Sequence, residues 1–369
     1  MLGNISIFLI TAITIILWLF AKVESNFKHE TPFELISELL ALVGLTMMAF
    51  SLMLSSKVEI LEDYFGGQDK IYNLHKVLGG IGFLALFTHP IFLVLNKSYD
   101  YLYILKYYIP WTNIPYDFGI ASLYLFLFGF YIMVFKKLKY ATWLKFHNLF
   151  ILAFLFGGIH ALLADSDTKN YFPLRYWATM LIVLGTLCGI YSSFLFRKFG
   201  PKYTYIIQTI NHKLDTININ MVPLGKKMKF QTGQFIYICF NNKTIGDELH
   251  PFTISSAVDE DTLRISVKSL GDFTSQLTNL HIKETAYVYG PYGRFGEIYQ
   301  ENKKKMIWIG GGIGITPFLS MLHTEAISPK PGEIIFYYNY LKQSDGVYND
   351  EITALLTYTP RIKYTQWCT

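Results

Sequence analysis

Four of the nine histidines in this 369-residue chain lie inside long apolar runs, where an imidazole is costly to bury and needs a partner. They come as two pairs: His75 and His89 at a spacing of 14 in one run, His147 and His160 at a spacing of 13 in another. At the rise of an α-helix each pair spans roughly 20 Å along its axis. If the two helices run in the same direction, His75 is level with His147 and His89 with His160. Two levels of paired imidazoles suit the axial positions of two b-type haems, each iron taking one nitrogen from each helix while the macrocycle fills the space between them. A step of 14 returns to nearly the same helix face, whereas a step of 13 ends about 140° away. A local distortion at Gly157-Gly158 is expected to absorb that difference. Cys188, Cys239 and Cys368 have neither metal-ligand spacing nor a disulfide pattern, so any metal must be held by something else. His29, His212, His281 and His323 lie outside the runs and read as surface histidines. Phe83, Phe87 and Phe154 fall between the two levels and read as packing. Lys76 and Lys145, at the inner ends, read either as partners of haem propionates or as snorkelling lysines.

The elements that must hold these histidines are six apolar spans: Ile5–Ala21, Phe33–Ser55, Tyr72–Asn96, Phe118–Phe135, Trp143–Leu163 and Leu174–Phe196. The first has no basic segment before it and no small-x-small cleavage site after it, so it reads as a span and not as a signal peptide. Six spans place both ends of the helical part on one side. With the C-terminal part cytoplasmic, the inner loops carry nine cations, among them Lys57, Lys70, Lys136, Lys137, Lys139 and Lys145. The outer loops then carry six: Lys22, Lys28, Lys97, Lys106, Lys169 and Arg175. The net charge of +5 therefore reads as membrane orientation and not as nucleic-acid binding.

Beyond about Phe199 charge becomes frequent and apolar runs shrink to strand length. Thr216–Met221 alternates with period two, and Gln234–Phe240, Leu263–Val267 and Thr285–Tyr289 are further strand candidates, together suggesting a small β-barrel. Four motifs sit on it. His250-Pro251-Phe252-Thr253-Ile254-Ser255 places an aromatic beside hydroxyls at a strand end, which can lay a ring on a flavin and offer its N5 edge a hydrogen bond. Lys268-Ser269-Leu270-Gly271-Asp272-Phe273-Thr274 follows a strand and opens a helix, where backbone N–H groups can hold a pyrophosphate or Asp and Thr can simply cap. Gly290-Pro291-Tyr292-Gly293-Arg294-Phe295-Gly296 is by itself a turn-rich loop. Gly310-Gly311-Gly312-Ile313-Gly314-Ile315-Thr316-Pro317 lies between the strand Met306–Ile309 and the helix Phe318–Ala326, and Glu333–Tyr340 completes a βαβ unit of the dinucleotide-binding kind.

Taken in this order, the histidine spacings and the four motifs resemble the NADPH oxidase and ferric reductase superfamily, most closely its short bacterial members. The resemblance implies a membrane α-helical bundle of two haems over residues 1–200, an all-β FAD-binding barrel over 201–300 and a partial α/β NAD(P)H-binding domain over 301–369. It implies non-covalent FAD, with Phe252 stacking on the isoalloxazine, Thr253 near N5 and Lys268 to Thr274 on the phosphates. Gly310 to Pro317 would receive NADPH or NADH. Two departures stand out. Where relatives carry an arginine for the 2′-phosphate of NADPH this chain has Leu341, with Lys342 beside it as a substitute. The chain also reaches Trp367-Cys368-Thr369 before a Cys-Gly-Pro motif, so the nicotinamide domain is expected to lack a strand–helix–strand portion.

The implied activity is electron transfer from cytoplasmic NAD(P)H through FAD and the two haems to an acceptor across a bacterial plasma membrane, with both termini cytoplasmic. No side chain reads as a general acid or base. O2 giving superoxide, Fe3+ or another metal, and a non-enzymatic cytochrome fed by a separate reductase all remain open. The second span holds no arginine and Leu93 lies four residues past His89, where animal oxidases place Arg and His near their oxygen site.

Overall fold

A computed structural model describes residues 2–25, 31–95, 101–110, 113–246, 248–301 and 305–368. Lys28, His29, Asn96, Lys97 and Thr369 lie outside these residues. The chain divides into two compact units, Met1–Lys198 and Phe199–Thr369.

The first unit is helical: α1 (Leu2–Glu24), α2 (Pro32–Leu54), the short α3 (Glu59–Phe65), α4 (Gln68–Leu95), α5 (Tyr101–Tyr108), α6 (Ile114–Phe135), α7 (Tyr140–His147), α8 (Leu149–Leu163), α9 (Asp167–Asn170), α10 (Phe172–Ile190) and, after a π turn, α11 (Phe196–Phe199). Among the described residues six helical stretches are long and apolar enough to cross a membrane, at the six places the apolar runs predict. α2 starts on a capping box: Thr31 Oγ1 accepts from the Glu34 N–H and the Glu34 carboxylate accepts from the Thr31 N–H, with Pro32 in the first turn. A core of Leu45, Ala49, Phe126, Ala153, Phe154 and Leu181 joins α2, α6, α8 and α10. The outward faces are apolar too, with Phe8, Leu84, Tyr131 and Leu187 exposed, as a lipid solvent would permit.

The fifth span is one helical stretch, Tyr140–Leu163, with a single interrupted residue. That residue lies between α7 and α8, whereas Gly157 and Gly158 lie in the unbroken middle of α8. The interruption between His147 and His160 is therefore at Asn148, which keeps right-handed helical dihedrals (φ −64°, ψ −17°), and not at the glycine pair. Those glycines serve packing instead: a methyl at Gly158 would lie 2.6 Å from Ile182.

The second unit opens with a curled antiparallel sheet of β1 (Lys202–Lys213), β2 (Thr216–Pro223), β3 (Phe235–Phe240), β4 (His250–Thr253), β5 (Leu263–Lys268) and β6 (Thr285–Tyr292), in the order β4-β3-β6-β1-β2-β5. An isolated bridge between Ile254 and Ile265 brings its two edges together. Inward residues of period two, including Ile217, Ile219, Met221, Ile236, Ile238 and Ile265, fill it. Two short helices, α12 (Asp272–Gln276) and α13 (Glu297–Gln300), flank β6 in sequence. The remainder is a parallel sheet, β7 (Lys305–Gly311), β8 (Glu333–Tyr340) and β9 (Ile362–Cys368), with crossovers through α14 (Thr316–Ile327) and α15 (Asn349–Leu356). One face packs on Phe318, Leu319, Leu322 and Ile352. The other leaves Ile307, Ile309 and Trp367 each more than 60% exposed, an open apolar face unusual for a parallel sheet.

Candidate functional site

The four intramembrane histidines meet as two pairs. The rings of His75 and His147 have centroids 6.0 Å apart, and those of His89 and His160 are 6.5 Å apart. A metal bonded to one nitrogen of each ring at about 2 Å sets imidazole centroids about 6 Å apart, so both spacings suit one ion held between two rings. Three of the four rings are anchored through Nδ1 to main-chain carbonyls. His75 Nδ1 donates to Ser51 O at 2.7 Å, His89 Nδ1 to Ser37 O at 2.9 Å and His160 Nδ1 to Pro115 O at 2.8 Å. Such bonds select the tautomer protonated at Nδ1 and leave Nε2 as the free donor atom. His147 instead stacks on Trp143 at 4.9 Å and 10°, with its edge toward Phe150.

Close helix approach makes these anchors possible. A methyl at Gly82 of α4 would lie 3.1 Å from the Met48 nitrogen of α2, and one at Gly119 of α6 only 2.9 Å from His160 Nδ1. A cavity beside the His89–His160 pair is lined by these two histidines, Phe83, Phe87, Phe154 and Tyr116. Among the described residues no three His, Cys, Asp or Glu side chains converge as a metal cluster. A porphyrin could supply the remaining positions on a metal held at either level. The donor set, the ring spacing and the apolar cavity fit a haem. The aromatics between the levels form a packed ladder: Phe83 stacks on Phe130 at 4.8 Å and on Phe87 at 6.2 Å. Lys76 and Lys145 are exposed.

One cation differs from what the charge tally implies. Lys22 is not a loop cation: its side chain is fully buried and paired with Glu38 at 2.5 Å and Asp167 at 2.7 Å, and both carboxylates line the cavity beside His89 and His160. Trp18 Nε1 donates to Glu38 at 3.3 Å.

In the second unit, β4 is an edge strand, which is why Pro251 is tolerated there. Phe252 and Thr253 pair with Ile236 and Phe235 of β3. His250 stacks on Phe273 at 3.6 Å, and Phe252 lies 6.2 Å from the same ring. Burial pulls the His250 imidazole below its ordinary pKa, against the opposing pull of Glu248. Phe273 thus joins the aromatic group from the second motif, a role its position in the sequence does not announce. Ser255 is fully buried, bonded to Ser266 Oγ at 2.8 Å and accepting from Arg264 Nε at 3.1 Å, contacts that tie it to β5.

The second motif is folded on itself. Thr274 Oγ1 accepts from the N–H groups of Leu270 and Gly271, both at 2.9 Å, and Ser269 N–H donates to Asp215 O. Gly271 caps the short helix that begins at Asp272. Lys268 Nζ pairs with Asp345 at 2.8 Å and Asp215 at 3.2 Å, and the Asp345 hydrogen bond raises its pKa. Lys268 also shares a small cleft with Gly312, Ile313, Tyr338 and Asp345, so the second and fourth motifs converge. Gly290 and Gly293 have positive φ, and a methyl at Gly293 would press on Phe235 at 3.0 Å. In the fourth motif Gly310 is a packing residue, 2.5 Å from Ile315 if given a methyl, whereas Gly311, Gly312 and Gly314 face open space. Thr316 and Pro317 open α14, and exposed Lys342 follows β8. The glycine loop and Lys342 thus share the carboxyl edge of a parallel sheet, where nucleotides bind in such folds. Nearby, Arg264, His323 and Glu351 form a cluster, with Glu351 2.7 Å from Arg264 and 2.6 Å from His323.

Residues 40–158 match the family of ferric reductase like transmembrane components, and residues 204–311 match an FAD-binding domain family. The chain is 30% identical over 194 residues to a superoxide-generating NADPH oxidase heavy chain of Dictyostelium discoideum, covering 48% of this chain and 35% of that one. It is 31% identical over 206 residues to dual oxidase 2 of Rattus norvegicus, covering 47% of this chain and 13% of that one. The chain therefore spans well under half the length of these curated relatives. A flavohemoglobin from Malassezia yamatoensis, solved with bound FAD and heme, superposes with a TM-score of 0.50 at 14% identity, over 92% of this chain and 85% of that one, a likeness of fold alone. From the transmembrane and FAD-binding family matches in tandem, together with these oxidase relatives, the chain belongs to the NADPH oxidase and ferric reductase superfamily.

Proposed function

We propose that this chain is a transmembrane flavocytochrome that moves electrons from cytoplasmic NAD(P)H through FAD and two bis-histidine haems to an acceptor across the membrane, with O2 yielding superoxide as the leading acceptor. The observation that carries this is the pair of imidazole levels, His75 with His147 at 6.0 Å and His89 with His160 at 6.5 Å. When bound, FAD supplies the exchange between hydride and single-electron chemistry, and the haems supply one-electron carriage.

The chain's own residues provide position and environment. His75, His147, His89 and His160 would hold the haems. Phe252 and Thr253 would flank the flavin ring, and Lys268 with the Gly271–Thr274 turn its phosphates. For that, Lys268 must exchange Asp345 or Asp215 for phosphate oxygens. Gly311, Gly312 and Gly314 leave room for the nicotinamide dinucleotide backbone, and the start of α14 favours its negative charge. Lys342 would meet a 2′-phosphate.

A metal cation is the second reading of the acceptor. The carboxyl groups of Glu38 and Asp167, on the wall of the cavity beside His89 and His160, favour it as oxygen donors for a cation. Purified protein supplemented with FAD decides between these. Two haems per chain and NADPH-driven reduction of cytochrome c that superoxide dismutase abolishes are expected for the oxidase. Reduction insensitive to the dismutase indicates direct metal reduction. An intact haem spectrum with no turnover indicates a non-enzymatic cytochrome, and protein without a Soret band refutes the proposal.

A further inference from the structure

Two serines on α2 repeat the histidine spacing of α4. Ser37 and Ser51 are fourteen residues apart, as are His75 and His89, and the two helices run antiparallel, so Ser51 sits level with His75 and Ser37 with His89. Each serine grips its histidine at three points. Ser51 Oγ lies 3.0 Å from His75 Nδ1 and donates to His75 O at 3.0 Å, while Ser51 O accepts the Nδ1 hydrogen at 2.7 Å. Ser37 Oγ lies 2.8 Å from His89 Nδ1 and donates to His89 O at 2.8 Å, while Ser37 O accepts at 2.9 Å. Because each hydroxyl hydrogen is committed to the histidine carbonyl, its oxygen shares the Nδ1 proton with the serine carbonyl. Both serines are buried.

The two levels are nevertheless unequal. At the outer level both imidazoles are anchored, His89 on Ser37 and His160 on Pro115 O. At the inner level only His75 is, for buried His147 Nδ1 has no hydrogen-bond partner among the described residues. An acceptor on Nδ1–H makes the imidazole a more basic ligand, which favours the oxidised metal.

We propose that Ser37 and Ser51 are positioning residues that act through His89 and His75, and that the half-anchored inner level is the higher-potential centre of the two. This rests on the two-haem proposal. The test uses the full-length, haem-loaded protein and its Ser51→Ala, Ser37→Ala, Ser51→Thr and Ser37→Thr variants, read by spectroelectrochemical titration and low-temperature EPR. Ser51→Ala is expected to raise the higher-potential component alone, and Ser37→Ala the lower one alone. The expected size is a three- to tenfold change in the oxidised-over-reduced preference, about 30 to 59 mV for one electron. Each alanine variant should alter one EPR component, and each threonine variant should restore it. Equal shifts of both components, no shift, or the reverse assignment overturns the proposal. If the alanine variants lose haem, the threonine variants decide: wild-type potentials support the hydroxyl role, and haem loss there too refutes it. A colourless wild type would defeat the two-haem proposal itself, a result distinct from any of these.

Discussion

Gly119→Ala offers a sharp test of the outer site, because it leaves all four histidines in place. The added methyl would lie 2.9 Å from His160 Nδ1, 3.0 Å from Cγ and 3.1 Å from Cε1, so the ring must turn or α6 must move. Either motion strains the 2.8 Å bond from Nδ1 to Pro115 O. Overpacking of this kind costs roughly 1–3 kcal/mol, and losing the neutral hydrogen bond about 1 kcal/mol more. Their sum, about 2–4 kcal/mol, corresponds to a 30- to 1000-fold weaker outer haem. His75 of the inner pair is fourteen residues away along α4 and keeps its anchor on Ser51 O. The expected result is therefore selective: the pyridine haemochrome ratio falls from two haems toward one per chain, and haem transfer to apomyoglobin becomes biphasic with one fast phase. Gly80→Ala, where the methyl meets nothing within 4 Å, is the control and should keep both haems. Gly119→Ala protein that retains two haems with unchanged transfer rates would refute the assignment of His160 as a haem ligand.

Further outcomes follow from other contacts. Burial would push the Glu351 carboxyl up, but the His323 hydrogen bond and the Arg264 charge hold it down at about 2. A carboxylate so depressed stabilises the fold above its unfolded pKa of about 4.5 and loses that contribution as pH falls toward 2. Glu351→Gln should therefore destabilise the second unit by on the order of 3 kcal/mol at neutral pH and flatten its melting-temperature profile between about pH 4.5 and 2. Lys22→Met strands Glu38 and Asp167 and should lower stability by about 3–5 kcal/mol, read as the melting temperature in detergent. Gly311→Ala should leave the fold intact, since its methyl meets nothing, yet raise KM for NADPH about tenfold by blocking backbone approach. Lys342→Ala should raise KM for NADPH and leave that for NADH unchanged; equal effects on both would remove Lys342 from the 2′-phosphate site.

Features governed by distance along one element were legible in the sequence. Helical rise alone sets the two histidine levels, the period of two marks the barrel strands, and a strand–glycine loop–helix order marks the nucleotide fold. Features governed by the approach of separate elements were not. Ser37 and Ser51 are ordinary hydroxyls in an apolar run until α2 docks antiparallel on α4 and brings their carbonyls to Nδ1. Lys22 counts as a loop charge until Glu38 and Asp167 close around it. Ser255 belongs to a flavin motif by position, yet its hydroxyl turns to Arg264 and Ser266. The interruption at Asn148 carries no proline or glycine to announce it, and its side-chain partner, Ser193 Oγ at 3.0 Å, lies on a separate span. Spacing along a helix is local covalent geometry, but the direction a side chain faces and the partner it meets depend on packing between segments far apart in the chain, which no local period records.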